Sequence, residues 1–155
     1  MMKKVEIITY NESYAKDFYR LNIEWLEKYF TVEDYDKIVL SQPRQHIIDK
    51  GGTILLAKVD DDIVGTVALI NRGVDGYELS KMAVTEHFQG FRIGKKLMYA
   101  AIYKTITLGA DRLFLDSNTI LKPAIQLYQK VGFKEIPVST DSPYERCNIR
   151  MEIKL

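Results

Sequence analysis

Residues 83–100 read AVTEHFQGFRIGKKLMYA, with two glycines and three strongly basic side chains set between a strand-like run and a helix-like run. The chemistry such a stretch can do is anion binding. A helix N-terminus presents about four backbone N–H groups without intrahelical partners, and the macrodipole adds roughly half a positive charge. Gly90 and Gly94 would let a phosphate approach those amides, while Arg92, Lys95 and Lys96 place charge around it. Spacing alone leaves two readings level: a pyrophosphate cradle, or a loop followed by a solvated basic helix start. Two better-known phosphate loops are excluded by the letters. The interval from Gly90 to Gly94 is one residue too short for G-x-x-x-x-G-K-[ST], and Lys96 stands where Ser or Thr belongs. The triple glycine of a dinucleotide fingerprint is absent as well.

Other conspicuous residues read more plainly. Asp60, Asp61 and Asp62 suit a tight turn, because adjacent carboxylates seldom converge on one ion. No metal site is expected. Cys147 is the single cysteine and has no Cys/His spacing around it, so it reads as a strand thiol rather than a nucleophile. His46 reads as a helix-surface residue, and His87 as a flank to the basic loop.

The elements that would position the loop follow from periodicity. Residues 5–10 have the β-branched bias of a first strand, and Asn11 or Ser13 can cap the helix after it. Tyr14, Phe18, Leu21, Trp25 and Tyr29 form one stripe on a helix ending near Phe30. Thr31-Val32-Glu33-Asp34 resembles a capping box for a second short helix, and Pro43 suits the start of a third, running through Lys50 and stopped by Gly51-Gly52. Residues 53–59 and 63–71 read as a hairpin, and 77–84 as the next strand. A helix over 94–108, a strand over 112–117, a helix over 123–131 and strands over 133–138 and 147–153 complete the chain. This alternation argues for a mixed sheet covered by helices, with a parallel pair at its middle.

Composition sets the frame. A chain of 155 residues is the length of one domain, so residues 1–155 are expected to form a single unit. With 46% hydrophobic and 28% charged residues it has an ordinary globular balance. A formal net charge of +1 gives no reason to expect a nucleic-acid or membrane-surface partner. No apolar run approaches the roughly 18 residues of a membrane span, and MMKKVEIITY lacks a signal-peptide core. A lone cysteine favours a reducing, cytoplasmic location.

Gln89-Gly90-Phe91-Arg92-Ile93-Gly94 resembles the Q/R-x-x-G-x-G/A acyl-CoA loop of the GNAT superfamily of N-acetyltransferases. The preceding residues 78–84, ELSKMAV, are similar to that family's fourth strand, and residues 124–133, AIQLYQKVGF, to its A-x-x-L-Y-x-x-x-G-F segment. The chain departs from the pattern at Arg92, where the motif has a small residue, and at Leu121, where the family often has Asn. The resemblance implies an α/β fold: a mixed, twisted sheet of about seven strands flanked by helices, whose fourth and fifth strands splay to admit a pantetheine arm.

It also implies roles. Acyl transfer to an amine needs a proton acceptor, a donor to the carbonyl oxygen and stabilisation of the departing sulfur. Glu78 would be the general base, and Tyr128 the proton donor or hydrogen-bond donor to the coenzyme A sulfur. The Met82 amide would bond the thioester carbonyl, and Ala83 and Val84 would pair with the pantetheine like an added strand. Gln89, Gly90, Phe91, Arg92, Ile93, Gly94 and Lys95 would hold the diphosphate, with Asn118 taking the polar place that Leu121 vacates. Tyr29, Phe30, Tyr35 and Tyr144 would wall the acceptor; Glu33, Asp34 and Asp36 lie near that wall, compatible with a cationic acceptor but more commonly plain surface charge. The cofactor expected is acetyl-CoA and the partner a small-molecule or protein amine; a homodimer is compatible with the sequence. A non-catalytic acyl-CoA sensor on the same fold, or an interaction domain, are the competing readings.

Overall fold

The computed structural model describes residues 4–89, 92–138 and 146–155. Seven strands, β1 (Val5–Thr9), β2 (Thr53–Val59), β3 (Asp62–Asn71), β4 (Tyr77–Val84), β5 (Arg112–Ser117), β6 (Lys134–Ile136) and β7 (Ile149–Lys154), form one sheet in the order β1-β2-β3-β4-β5-β7-β6. Every neighbouring pair is antiparallel except β4–β5. That parallel pair is short. It holds only Tyr77 opposite Leu113 and Glu78 opposite Phe114, after which the two strands part. The sheet is therefore mixed and splayed where the family resemblance implied.

Both faces of the sheet are covered, because β2 and β3 carry nearly unbroken apolar runs rather than one apolar face. On one side, Leu55, Ala57, Val67 and Leu69 pack beneath Ile93, Leu97, Met98 and Ala101 of helix α3 (Ile93–Thr107). Gly65 permits this closeness: a Cβ there would stand 3.0 Å from Leu97 and 3.2 Å from Ile93. On the other side, Ile54, Leu56 and Ala68 meet Phe18, Leu21 and Leu26 of α1 (Ala15–Tyr29) and Val39 and Leu40 of α2 (Asp34–Ser41). Helix α4 (Lys122–Val131) lies on the α3 side and ends at Gly132, φ 122°.

Several local expectations shift. The capping box of α2 is built by Glu33 and Asp36, not by Thr31 and Asp34, with Asp36 accepting from the Glu33 amide at 2.9 Å. The helix expected over 43–50 is a single wide turn, Arg44–Ile48, preceded by Pro43. β7 begins at Ile149, leaving Cys147 ahead of the strand, and β6 is shorter than its apolar run. The three aspartates make the tight β2–β3 turn, with Asp60 at φ 53°.

The β4–β5 junction depends on Gly76. Its φ of 90° with ψ −141° is glycine territory, and a Cβ there would lie 2.4 Å from the Arg112 carbonyl oxygen. Gly76→Ala is expected to cost about 2–3 kcal/mol, the scale of such backbone strain, read as a lowered urea midpoint. A change below about 0.5 kcal/mol would show that the junction can yield.

Candidate active site

Beyond Glu78 and Phe114 the gap between β4 and β5 widens into a cavity of about 520 Å³. Its walls come from α1 and the residue after it (Trp25, Leu26, Phe30), α2 (Tyr35, Asp36, Val39), β4 (Glu78 to Met82), β5 (Phe114 to Ser117), α4 (Tyr128) and the approach to β7 (Arg146, Cys147). β4 changes register inside this wall. Thr66 faces Ala83 and Ala68 faces Ser80, so Lys81 and Met82 have no register partner on β3, and Lys81 adopts φ 52°. The bulge turns main-chain groups of β4 out of the ladder.

Three arginines on or beside the walls are paired with carboxylates. Arg72 donates to Glu78 Oε1 from Nε at 2.9 Å and from Nη2 at 2.6 Å. Arg150 grips Asp116 through two bonds of 2.7 and 2.8 Å, and its guanidinium lies 4.7 Å from the Phe114 ring centre. Arg146 bonds Glu33 at 2.7 Å and both oxygens of Asp36 at 3.0 and 2.8 Å. Asp36 is fully buried. Asp36 is thus an internal tie between α2 and the segment before β7 rather than a surface charge.

Two wall groups titrate far from their usual range. Burial pushes the Tyr128 phenol up to about 12, against a smaller opposing contribution from the Ser117 hydroxyl. Burial draws the Lys81 amine down to about 8; Asp36 and Glu78 oppose the shift and Arg146 adds to it. The folded state therefore binds fewer protons at Lys81 than the unfolded chain between about pH 8 and 10.5, so stability rises with pH across that window. Lys81→Met should accordingly stabilise the protein at pH 7, with the advantage shrinking above pH 8. An unfolding free-energy difference independent of pH would contradict this.

The expected site residues part according to where the fold places them. Glu78, Met82, Asn118, Tyr128, Phe30 and Tyr35 all reach the one cavity. Ala83 and Ile93 are buried in the core, at 2% and 1% exposure, so their side chains face no ligand. Val84 is half-buried at the end of β4, opposite Gly65. Asn118 is already engaged, donating to the Arg146 carbonyl at 2.6 Å and accepting from the Ile120 amide at 3.0 Å. Tyr29 lies outside the cavity lining, with its ring 5.3 Å from Trp25. Gly90, Phe91 and Tyr144 lie outside the described residues.

The start of α3 does reach the cavity's edge. Arg92 is the N-cap of α3 in the left-handed conformation, φ 61° and ψ 23°. Lys96 N–H bonds the Arg92 carbonyl at 3.1 Å, so the amides of Ile93, Gly94 and Lys95 precede any intrahelical acceptor. A Cβ on Gly94 would stand 3.4 Å from Met82 Cε, which sets the open helix end against the β4 bulge. Gln89 is exposed and donates to the Val84 carbonyl at 3.3 Å, and the Lys95 amine lies 6.0 Å from the Tyr99 ring centre.

The model of the acetyltransferase (GNAT) family matches residues 11–133. The chain belongs to that family. This GNAT protein is 31% identical over 105 residues, 66% of its length, to 68% of the uncharacterized N-acetyltransferase YvbK of Bacillus subtilis. Its fold is that of solved GNAT acetyltransferases. The crystal structure of one from Staphylococcus aureus Mu50 superposes with a TM-score of 0.87 at 24% identity, covering 97% of this chain and 99% of that one. A Bacillus subtilis acetyltransferase crystallised with CoA gives a TM-score of 0.75 at 22% identity, over 98% and 99% of the two chains. Acyl transfer is the family's activity class. Among the described residues no helix is long and apolar enough to cross a membrane, and no group of three or more metal-binding side chains is present.

The residues that sequence reasoning missed are Lys81, Arg72, Arg146 and the Asp116–Arg150 pair. Asp36 and Arg146 are 110 positions apart, so nothing local ties them. Lys81 did carry a signal, a lysine in the middle of a strand just ahead of the apolar run Met82-Ala83-Val84.

Proposed function

We propose that this GNAT protein is an acetyl-CoA-dependent N-acetyltransferase acting on a primary amine of a small molecule or protein, by direct attack in a ternary complex. One observation carries the reading: a single cavity at the β4–β5 splay holds Glu78 and Tyr128 on its walls and abuts the open N-terminus of α3 at Met82. The residues suit coenzyme A. The amides of residues 93–95, with Arg92 and Lys95 beside them, would hold its diphosphate, and the β4 bulge offers unladdered main chain to its pantetheine arm. The thioester supplies an activated acyl carbon.

The protein's own groups answer the remaining demands. The Met82 amide donates to the carbonyl oxygen, where negative charge builds. Glu78 takes a proton from the acceptor ammonium, directly or through a water; Arg72 holds Oε1 and leaves Oε2 to the acceptor. Tyr128 donates a hydrogen bond to the departing sulfur. A phenol near 12 gives up its proton reluctantly to a thiolate whose own acid is near 8.5, so the hydroxyl stabilises charge more than it transfers a proton. Phe30, Tyr35 and Trp25 wall the acceptor.

The test is thiol release with a panel of amines, paired with calorimetry against acetyl-CoA. Binding with turnover on at least one amine supports the reading. Binding without turnover on any amine makes the protein an acyl-CoA sensor, and no binding at millimolar ligand removes both.

A further inference from the structure

Lys81 is not needed by the reaction just described, yet it shares the cavity with Glu78, Met82 and Tyr128. Its left-handed backbone lies at the register break of β4, one residue before the amide assigned to the acyl carbonyl. We propose that Lys81 is an internal acyl acceptor, whose ε-amine takes the acetyl group from acetyl-CoA when no external amine occupies the site. The proposal rests on the acetyltransferase reading above.

Among the described residues, the charged and titratable groups that act on Lys81 include Asp36 from α2, Glu78 from its own strand, and Arg146 and Cys147 from the approach to β7. Desolvation outweighs the two carboxylates, with Arg146 acting in the same sense, and the amine titrates at about 8. Half of it is then neutral at pH 8, against about 0.4% of an ordinary lysine near pKa 10.4, so nucleophile is present without any base. Lower basicity gives back part of that gain in reactivity, and confinement beside the acyl carbon adds to it. In the step, the neutral amine attacks the acyl carbon, a C–N bond forms and the C–S bond breaks. The proton shed by nitrogen is balanced by the one that leaves with coenzyme A as its thiol, giving an Nε-acetyl-lysine and free thiol. The product removes a positive charge beside Asp36 and Arg146 and fills part of the acceptor space, so an enzyme starved of acceptor would close its own site.

The experiment is peptide mapping by mass spectrometry of the wild-type chain held with saturating acetyl-CoA and no amine, from pH 7 to 9. Expected is one acetyl group on Lys81, appearing at least about tenfold faster than on exposed Lys134. Its first-order rate should be independent of protein concentration, rise through pH 8, and fall when excess coenzyme A competes. Lys81→Arg keeps the charge and should lose that acetyl group while still binding acetyl-CoA by calorimetry. Should Lys81→Arg not fold, the wild-type map alone decides. An unmodified Lys81, or one labelled no faster than Lys134 while calorimetry shows acetyl-CoA bound and an amine is turned over, overturns the proposal and spares the enzyme reading. Loss of binding or of all amine turnover strikes the enzyme reading itself.

Discussion

Tyr128→Phe is expected to lower turnover by roughly ten- to a thousandfold, the scale of losing a positioned proton or hydrogen-bond donor, with acetyl-CoA affinity nearly unchanged. The substitution is clean because the ring has packing of its own. It lies 6.1 Å from the Phe133 ring centre, and the Tyr128 carbonyl accepts from the Phe133 amide at 2.9 Å as the chain leaves α4. Phenylalanine keeps those contacts and removes only the hydroxyl. With the phenol held up to about 12 it stays protonated through the working range, so wild type and variant should share the same pH profile below pH 10. Steady-state kinetics on any amine that the panel identifies would measure this. Turnover within twofold of wild type would take Tyr128 out of the mechanism.

Asp36→Ala is expected to cost about 3–5 kcal/mol of stability, because it takes from a partly buried guanidinium both bonds to a fully buried carboxylate rather than removing a surface ion pair. Asp36 is fully buried and Arg146 is 16% exposed. The same carboxylate accepts from the Glu33 amide and so closes the α2 capping box, a second loss in the same direction. Asp36→Asn keeps the volume and can still accept from that amide, so it should recover part of the loss. Chemical denaturation reads both variants, and a loss below about 1 kcal/mol for the alanine would mean that the bonds Arg146 keeps, that to Glu33 among them, make good the lost ones.

Much of this was legible because it is local. The phase of Phe18 and Leu21 on α1, the two-sided apolar runs of β2 and β3, and the glycines after α3 and α4 all follow from neighbours within a few positions. The ordered appearance of ELSKMAV, QGFRIG and AIQLYQKVGF carried the fold and the cavity's place, since together they span the splay from both sides. What stayed hidden depends on tertiary pairing. Asp36 read as one of three surface acids until Arg146 arrived from far along the chain. Trp25 and Tyr29 lie on one apolar stripe, yet only Trp25 reaches the cavity, because α1 ends and the stripe drifts outward. Arg92 was identifiable as a departure at a place that asks for a small residue. Its left-handed φ of 61° shows what the chain tolerates there, strain on the order of 1 kcal/mol at the mouth of a helix.

The two-residue seam between β4 and β5 has a mechanical meaning. Strands β1 to β4 form one leaf and β5, β7 and β6 the other, stitched at Tyr77–Leu113 and Glu78–Phe114 and held beyond that by helices and by side-chain ties such as Arg112 to the Asp75 carbonyl. Whatever fills the opening acts as a keystone: it bears on both leaves at once and stiffens what the backbone leaves ajar. Saturation at a hundred times the dissociation constant would add about 2.7 kcal/mol to the folded state. Much of that gain should be felt as slowed amide exchange on facing edges of the two leaves, far from either end of the chain.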